Sequence, residues 1–242
     1  MRGLSAATLL EVWERGLGRP LPGRALALLA AALPEASAEE LAGLPLGRRD
    51  AYLLQLRERL FGPDFTAVVQ CPSCGEQIES TFRADQVRLA GDPAPDATMA
   101  ADILGYRAVF RLPTTRDLLA LPDARTAREA LLARCVTEVR AAGGEAVTVA
   151  SLPEDVVAGI AARMAAADPQ AEVALALACP VCDHRWSAMF DIASFLWKEL
   201  HAWALQTLRD VHSLARAYGW READVLELSP TRRRFYLELS RR

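Results

Sequence analysis

The stretch QCPSCGEQIE, residues 70–79, sets Cys71 and Cys74 three apart around Pro72 and follows them with Gly75. ACPVCDHRW, residues 178–186, repeats the arrangement with Cys179, Pro180 and Cys182. A turn of this kind presents two sulfurs to one ion, and zinc, borderline soft and indifferent to ligand-field geometry, takes four thiolates in a tetrahedron. Around each pair the apolar period is two. FTAVVQ leads into the first and QIESTFRA out of it, with Ile78, Ser80 and Phe82 on one side. AEVALALA and HRWSAMFDI flank the second, with Trp186, Ala188 and Phe190 on one side. Each pair therefore belongs at the tip of a hairpin, and two hairpins facing across one metal make a zinc ribbon. The expected ligands of a single Zn2+ are Cys71, Cys74, Cys179 and Cys182.

The halves lie 104 residues apart in sequence. By the logarithm of loop closure, this costs only about 1.7 kcal/mol more than a 16-residue spacer, against roughly 10–16 kcal/mol from structural zinc in finger peptides. A four-thiolate site has no open position, so the expected role is structural, with no catalytic residue. His184 competes on paper as a ligand but reads as a solvent-facing group beside the knuckle. Cys135, within a helical pattern, reads as a small core residue.

Outside the ribbon the chain reads as mainly helical, giving an α+β class with a discontinuous zinc ribbon of antiparallel hairpins. Residues 1–64 form an N-terminal helical region, 65–90 and 171–192 the two halves of the ribbon, 91–170 an inserted α/β segment, and 193–242 a C-terminal helical region. In the first region, Leu9, Val12, Trp13 and Leu17 recur at helical spacing, and Pro34 stops an Ala/Leu helix. GRRDAYLLQLRERLFG puts Tyr52, Leu53, Leu56 and Leu60 on one face and Arg49, Arg57 and Glu58 on the other, and ends at Gly62 and Pro63. In the insertion, GDPAPDATMA (91–100) reads as a linker and YRAVFRLP as a strand. TTRDLLAL, ARTAREALLARCVTEVRAA and LPEDVVAGIAARMAAADP read as helices, and AAGGEA as a turn. A long C-terminal helix carries Leu196, Leu200, Trp203, Leu208, Val211, Leu214 and Ala215 near one stripe. Ser229 and Pro230 open a last one.

Composition narrows the function. Of 242 residues, 52% are hydrophobic and 24% charged, and no apolar run approaches the roughly 20 residues of a membrane helix. The N-terminus carries Glu11 and Glu14 and lacks a secretory pattern, so a soluble, cytoplasmic protein with reduced cysteines is expected. The formal charge of −3 becomes about −5 once four thiolates hold a dication. With Lys198 the only lysine, this argues against nucleic acid. There is no phosphate loop or nucleophile motif, and His201 and His212 on the long helix read as packing or surface groups. The basic cluster Arg232, Arg233 and Arg234 is either a solvated helix face or a docking surface. Preceded by the helix–turn–helix look of VHSLARAYGWREADVLELSP, it keeps a zinc-ribbon nucleic-acid-binding regulator as the alternative function.

The C-terminal run LRDVHSLARAYGWREADVLELSPTRRRFYLEL, after the knuckle CPVC, resembles the baseplate hub assembly chaperone family of contractile-tailed phages and related contractile injection systems. VWERGLGRPLPGRALALLAAALP, LPLGRRDAYLLQLRERLFGPDF and CPSCGE are similar to the version found in bacterial injection-system clusters, and YRAVFRLPTTRDLLAL fits too. The resemblance implies a non-enzymatic assembly factor or minor component of a baseplate, with baseplate and hub proteins as partners and no small-molecule substrate. Its motif residues fall on His212, Tyr218, Trp220, Leu226, Arg232, Arg233, Arg234, Tyr236 and Leu237. Two positions depart from the pattern: Arg221 replaces a serine cap, and Asp183 replaces the knuckle glycine, a substitution aspartate accommodates because it tolerates a left-handed backbone. The expected partner-binding surface is Arg232, Arg233, Arg234 and Tyr236 pointing outward, with Phe235 and Leu239 packed inward on the long helix.

Overall fold

Among the described residues the named strands pair antiparallel and make three small sheets within a mostly helical chain. The computed structural model describes residues 1–89, 98–122 and 126–240. In chain order these form α1 (Ala6–Gly16), α2 (Leu21–Ala32), α3 (Ala38–Gly43) and α4 (Leu46–Phe61), then the hairpin β1 (Asp64–Gln70) and β2 (Gln77–Arg83). There follow α5 (Ala84–Val87), β3 (Met99–Ile103), β4 (Tyr106–Phe110), α6 (Thr115–Leu119), α7 (Ala127–Cys135), β5 (Val136–Arg140) and α8 (Glu154–Ala167). The second hairpin, β6 (Ala174–Ala178) and β7 (Arg185–Met189), precedes α9 (Ile192–Tyr218), α10 (Glu222–Glu227) and α11 (Pro230–Ser240). Helix outweighs strand, 55% to 18%, so the expected α+β, mainly helical class holds. The chain divides into two compact units, one of residues 35–192 and one of residues 1–34 with 193–242.

The larger unit carries both hairpins. Its sheet β3–β4–β5 packs Ala108, Phe110, Val136 and Val139 with Leu132, Cys135, Val156 and Ile160 of α7 and α8 into one buried cluster. The single helix expected over ARTAREALLARCVTEVRAA ends instead at Cys135, and Val136–Arg140 is a strand. The β-branched Val136, Thr137 and Val139 favour extension, and β4 supplies partners, with Phe110 opposite Val136 and Ala108 opposite Val139. The linker expected over 91–100 is also cut short. Residues 90–97 lie outside the described residues, but Met99 already pairs with Phe110.

Two buried carboxylates fix the helices of this unit. Asp168, 2% exposed, accepts the Gly47 N–H at 2.8 Å, capping the N-terminus of α4 from a distance. A Cβ at Gly47 would overlap the Asp168 carboxylate, so the close approach requires glycine there. Asp117, 1% exposed, holds a two-pronged pair with Arg111 at 2.6 and 2.7 Å and accepts from Thr114 and Arg134. Burial opposes its ionisation, but Arg111 and Thr114 hold its pKa well below the usual carboxylate range.

The smaller unit joins the two ends of the chain. Ser5 caps α1 by accepting from the Thr8 N–H, and Trp13 on that helix donates its indole N–H to Nδ1 of His201 on α9 at 3.0 Å. Arg24 of α2 lies 4.8 Å over the Trp197 ring. On α9 the buried positions Leu196, Leu200, Ala204, Thr207, Val211 and Leu214 recur at steps of three and four, beside Ile192, Ala193 and Trp197 in the first turns, so Leu208 falls off the expected stripe and is exposed.

Candidate metal centre

Both knuckles are built the same way. The Cys71 N–H donates to the Glu76 carbonyl at 2.8 Å, and the Gly75 N–H to the Cys71 carbonyl at 2.9 Å. In the second, Cys179 donates to His184 at 2.9 Å and Asp183 to Cys179 at 3.0 Å. The turn needs a left-handed residue at its fifth position, supplied by Gly75 at φ +77° and by Asp183 at φ +55°. Aspartate thus does the work of glycine, as its short polar side chain allows.

The four sulfurs lie within 4.8 Å of one another. Cys71 Sγ is 3.8 Å from Cys182 Sγ, and Cys74 Sγ is 3.6 Å from Cys179 Sγ. A tetrahedron of sulfurs with Zn–S bonds of about 2.3 Å has edges of about 3.8 Å, so the donor set fits such an ion. Cys71 and Cys179 are buried while Cys74 and Cys182 face outward. Charge tells the same story. Desolvation opposes ionisation of Cys71, yet the Cys74 and Ser73 N–H groups bring its pKa down to about 7. The Glu76 N–H favours the Cys74 thiolate, but desolvation and the neighbouring sulfurs push its pKa up to about 12. Four thiols in this space cannot all ionise without a cation to offset them. Cys71, Cys74, Cys179 and Cys182 would hold the metal, and because they fill a tetrahedron the ion would brace the fold and leave no position for water.

Behind the sulfurs the hairpins also meet through three rings not anticipated from the sequence. Phe65 and Phe82 stack with centroids 5.0 Å apart, and Phe190 stands edge-on to them at 5.8 and 5.2 Å. Counting outward from the first knuckle finds this contact, because the register that pairs Gln70 with Gln77 also pairs Phe65 with Phe82. The platform is tied to α4 by Arg57, expected on a solvent face but only 3% exposed. Its guanidinium donates to the carbonyls of Gly62 and Asp64, each at 2.7 Å, and lies 3.8 Å over the Phe65 ring. Arg49, also expected outside, is buried against Asp50 at 2.7 Å. In both cases a hydrogen-bond acceptor draws in an arginine that periodicity assigns to water, and for Arg57 the Phe65 ring adds an apolar surface.

His184 stays exposed and stacks on Trp186 at 5.9 Å, beside the knuckle and outside the sulfur cluster. Cys135 is wholly buried, and burial pushes its thiol up to about 11. The C-terminal surface residues lie in the other unit, and there α11 is turned from its expected orientation. Arg233 is buried at 7% exposure, whereas Phe235 is 59% exposed and Leu239 41%. Tyr236 and Leu237 pack against Val211, Leu214 and Val225, and Tyr236 joins Tyr218 and Trp220 in an aromatic group. Tyr236 and Leu237, and not Phe235 and Leu239, therefore occupy the inner face of α11. Arg232 and Arg234 point outward as expected. At Arg221 the missing serine cap is replaced from the other side, its N–H donating to the Asp224 carboxylate at 2.9 Å.

No curated protein and no solved structure matches the chain. One family does match: the profile described as T4 bacteriophage base plate protein aligns over residues 26–197, which takes in both knuckles and everything between them. The alignment stops short of the run from Leu208 onward that carries much of the C-terminal resemblance. It covers well over half of the sequence, and the chain belongs to the T4 bacteriophage base plate protein family.

Proposed function

We propose that this protein is a non-enzymatic assembly factor or minor structural component of the baseplate of a contractile tail or related injection system. It works in the cytoplasm by binding baseplate and hub proteins, with one structural Zn2+ and no small-molecule substrate. The observation that carries the reading is the family match, whose span includes all four cysteines. Three features support it. A four-thiolate ion has no catalytic position. The two knuckles sit at the ends of the inserted α/β segment, so a metal held by their four cysteines would close it, as a docking scaffold requires. No helix among the described residues is long and apolar enough to cross a membrane.

Of the basic cluster that the regulator alternative would turn to phosphates, Arg233 is buried and Arg232 and Arg234 are exposed. Co-purification of the tagged full chain with the hub and baseplate proteins encoded beside it tests the proposal. A stable complex that survives nuclease treatment and 0.5 M salt is expected, whereas salt-sensitive binding to duplex DNA with no baseplate protein captured would replace this reading with the regulator.

A further inference from the structure

The rotation of α11 leaves one charge poorly served. Arg233 is nine-tenths buried, yet the hydrogen bonding of its side chain among the described residues amounts to one long contact from Nη2 to the Leu228 carbonyl at 3.4 Å. Its Nε has no acceptor among the described residues. A guanidinium carries five donors, and burying it without acceptors is costly. Burial works against its charge, and the Asp210 carboxylate supports it. The Asp210 carboxylate is itself engaged by the Gln206 amide at 2.8 Å.

Arg233 lines a cleft of about 480 Å³ between α9 and α11, whose walls include Trp203, Gln206, Asp210, Arg234 and Leu237. The cleft has an apolar side, an under-bonded cation within it and a second arginine beside it, while Asp210 and Glu238 supply negative charge nearby. That mixture disfavours a dianionic phosphate and suits a single negative charge on a short apolar stem. We propose that this cleft receives a glutamate or aspartate side chain of a baseplate partner, its carboxylate accepting from the Arg233 guanidinium and its methylenes lying against Trp203 and Leu237. A paired guanidinium and carboxylate are stronger and more directional than an ordinary hydrogen bond. The identity of the partner rests on the baseplate reading; the carboxylate chemistry does not.

The experiment has two arms. In the first, the zinc-loaded wild-type chain, labelled with 15N at arginine and tryptophan side chains, is titrated with N-acetyl-glutamate amide, with N-acetyl-glutamine amide and with inorganic phosphate. The acidic ligand is expected to shift the Arg233 Nε–Hε and Trp203 indole signals saturably, at least about tenfold more tightly than its neutral isostere. No shift, or equal shifts from both, overturns the proposal, and tighter binding of phosphate replaces it with a phosphate site. The second arm measures binding to the co-purifying baseplate protein. Arg233→Lys should weaken it at least about tenfold while Arg232→Ala stays within about twofold; equal binding by Arg233→Lys overturns the proposal. If the wild type captures no baseplate protein, the baseplate reading fails, and the first arm still decides the cleft.

Discussion

Replacing Arg57 with methionine tests how the ribbon is anchored to the helical body. The variant keeps most of the apolar stem but removes two charge-assisted hydrogen bonds, to Gly62 and Asp64, and the cation above Phe65. Hydrogen bonds to charged groups contribute about 1.5–3 kcal/mol each, and a desolvated cation–π contact about 2 kcal/mol. Returning the guanidinium to water offsets part of that sum. The expected net loss is about 3–5 kcal/mol, concentrated on the β1–β2 hairpin, because the two acceptor carbonyls sit where α4 hands the chain to β1. Hydrogen exchange is the suitable assay, since the chain has two compact units and a single melting curve mixes them. Amides in the pairs from Phe65–Phe82 to Val69–Ile78 should lose roughly two to four decades of protection at constant zinc, with β3–β5 little affected. A loss below about 1 kcal/mol would show that Arg57 is merely tolerated in the interior, and the anchoring argument would fall.

Cys179→Ser should release the metal and open both knuckles, visible as lost protection at the Cys71 and Cys179 amides. The Phe65, Phe82 and Phe190 contact should keep the hairpin bases together, so complete unfolding of the larger unit would contradict that role. Asp117→Asn should cost about 2–4 kcal/mol in urea denaturation, at the lower end because Arg111 and Arg134 are partly exposed and screened. Because its pKa is depressed in the folded state, the Asp117 contribution is present in full above about pH 4 and shrinks as pH falls. Asp50 has the opposite sign: burial raises its carboxyl from 3.8 to about 6, so its charge costs stability above pH 6 and the cost disappears as pH falls toward 4. Asp50→Asn should therefore abolish a gain of about 2 kcal/mol that the wild type makes between pH 7 and pH 4, and an identical pH profile in the two proteins would contradict it.

The four-cysteine cluster was legible in the sequence because it is a local pattern used twice. Spacing fixed both turns, alternation fixed the strands on either side, and even Asp183 was readable from the backbone conformation its position requires. What escaped was decided by partners distant in sequence. Arg49 and Arg57 occupy polar positions on a helical wheel, and only the fold shows the Asp50 carboxylate and the Gly62 and Asp64 carbonyls that draw them inward. Val136–Arg140 continues a helical pattern until β4 offers it hydrogen bonds. On α11, Phe235 and Leu239 at a spacing of four compete with Tyr236 and Leu237 for the buried face. The outcome depends on Tyr218 and Trp220, which no reading of that helix alone brings into view. One overlooked helix could have been found locally, since Ser37 and Glu40 form a capping box at the start of α3.

Elemental analysis of the purified full chain, expressed without added metal and exchanged into metal-free buffer, bears most directly on the account. One zinc per chain is predicted, lost together with ordered knuckles in Cys71→Ser and Cys179→Ser and retained in Cys135→Ser. Less than about half an equivalent of zinc in well-folded wild type, or full occupancy in the Cys179→Ser variant, would contradict it.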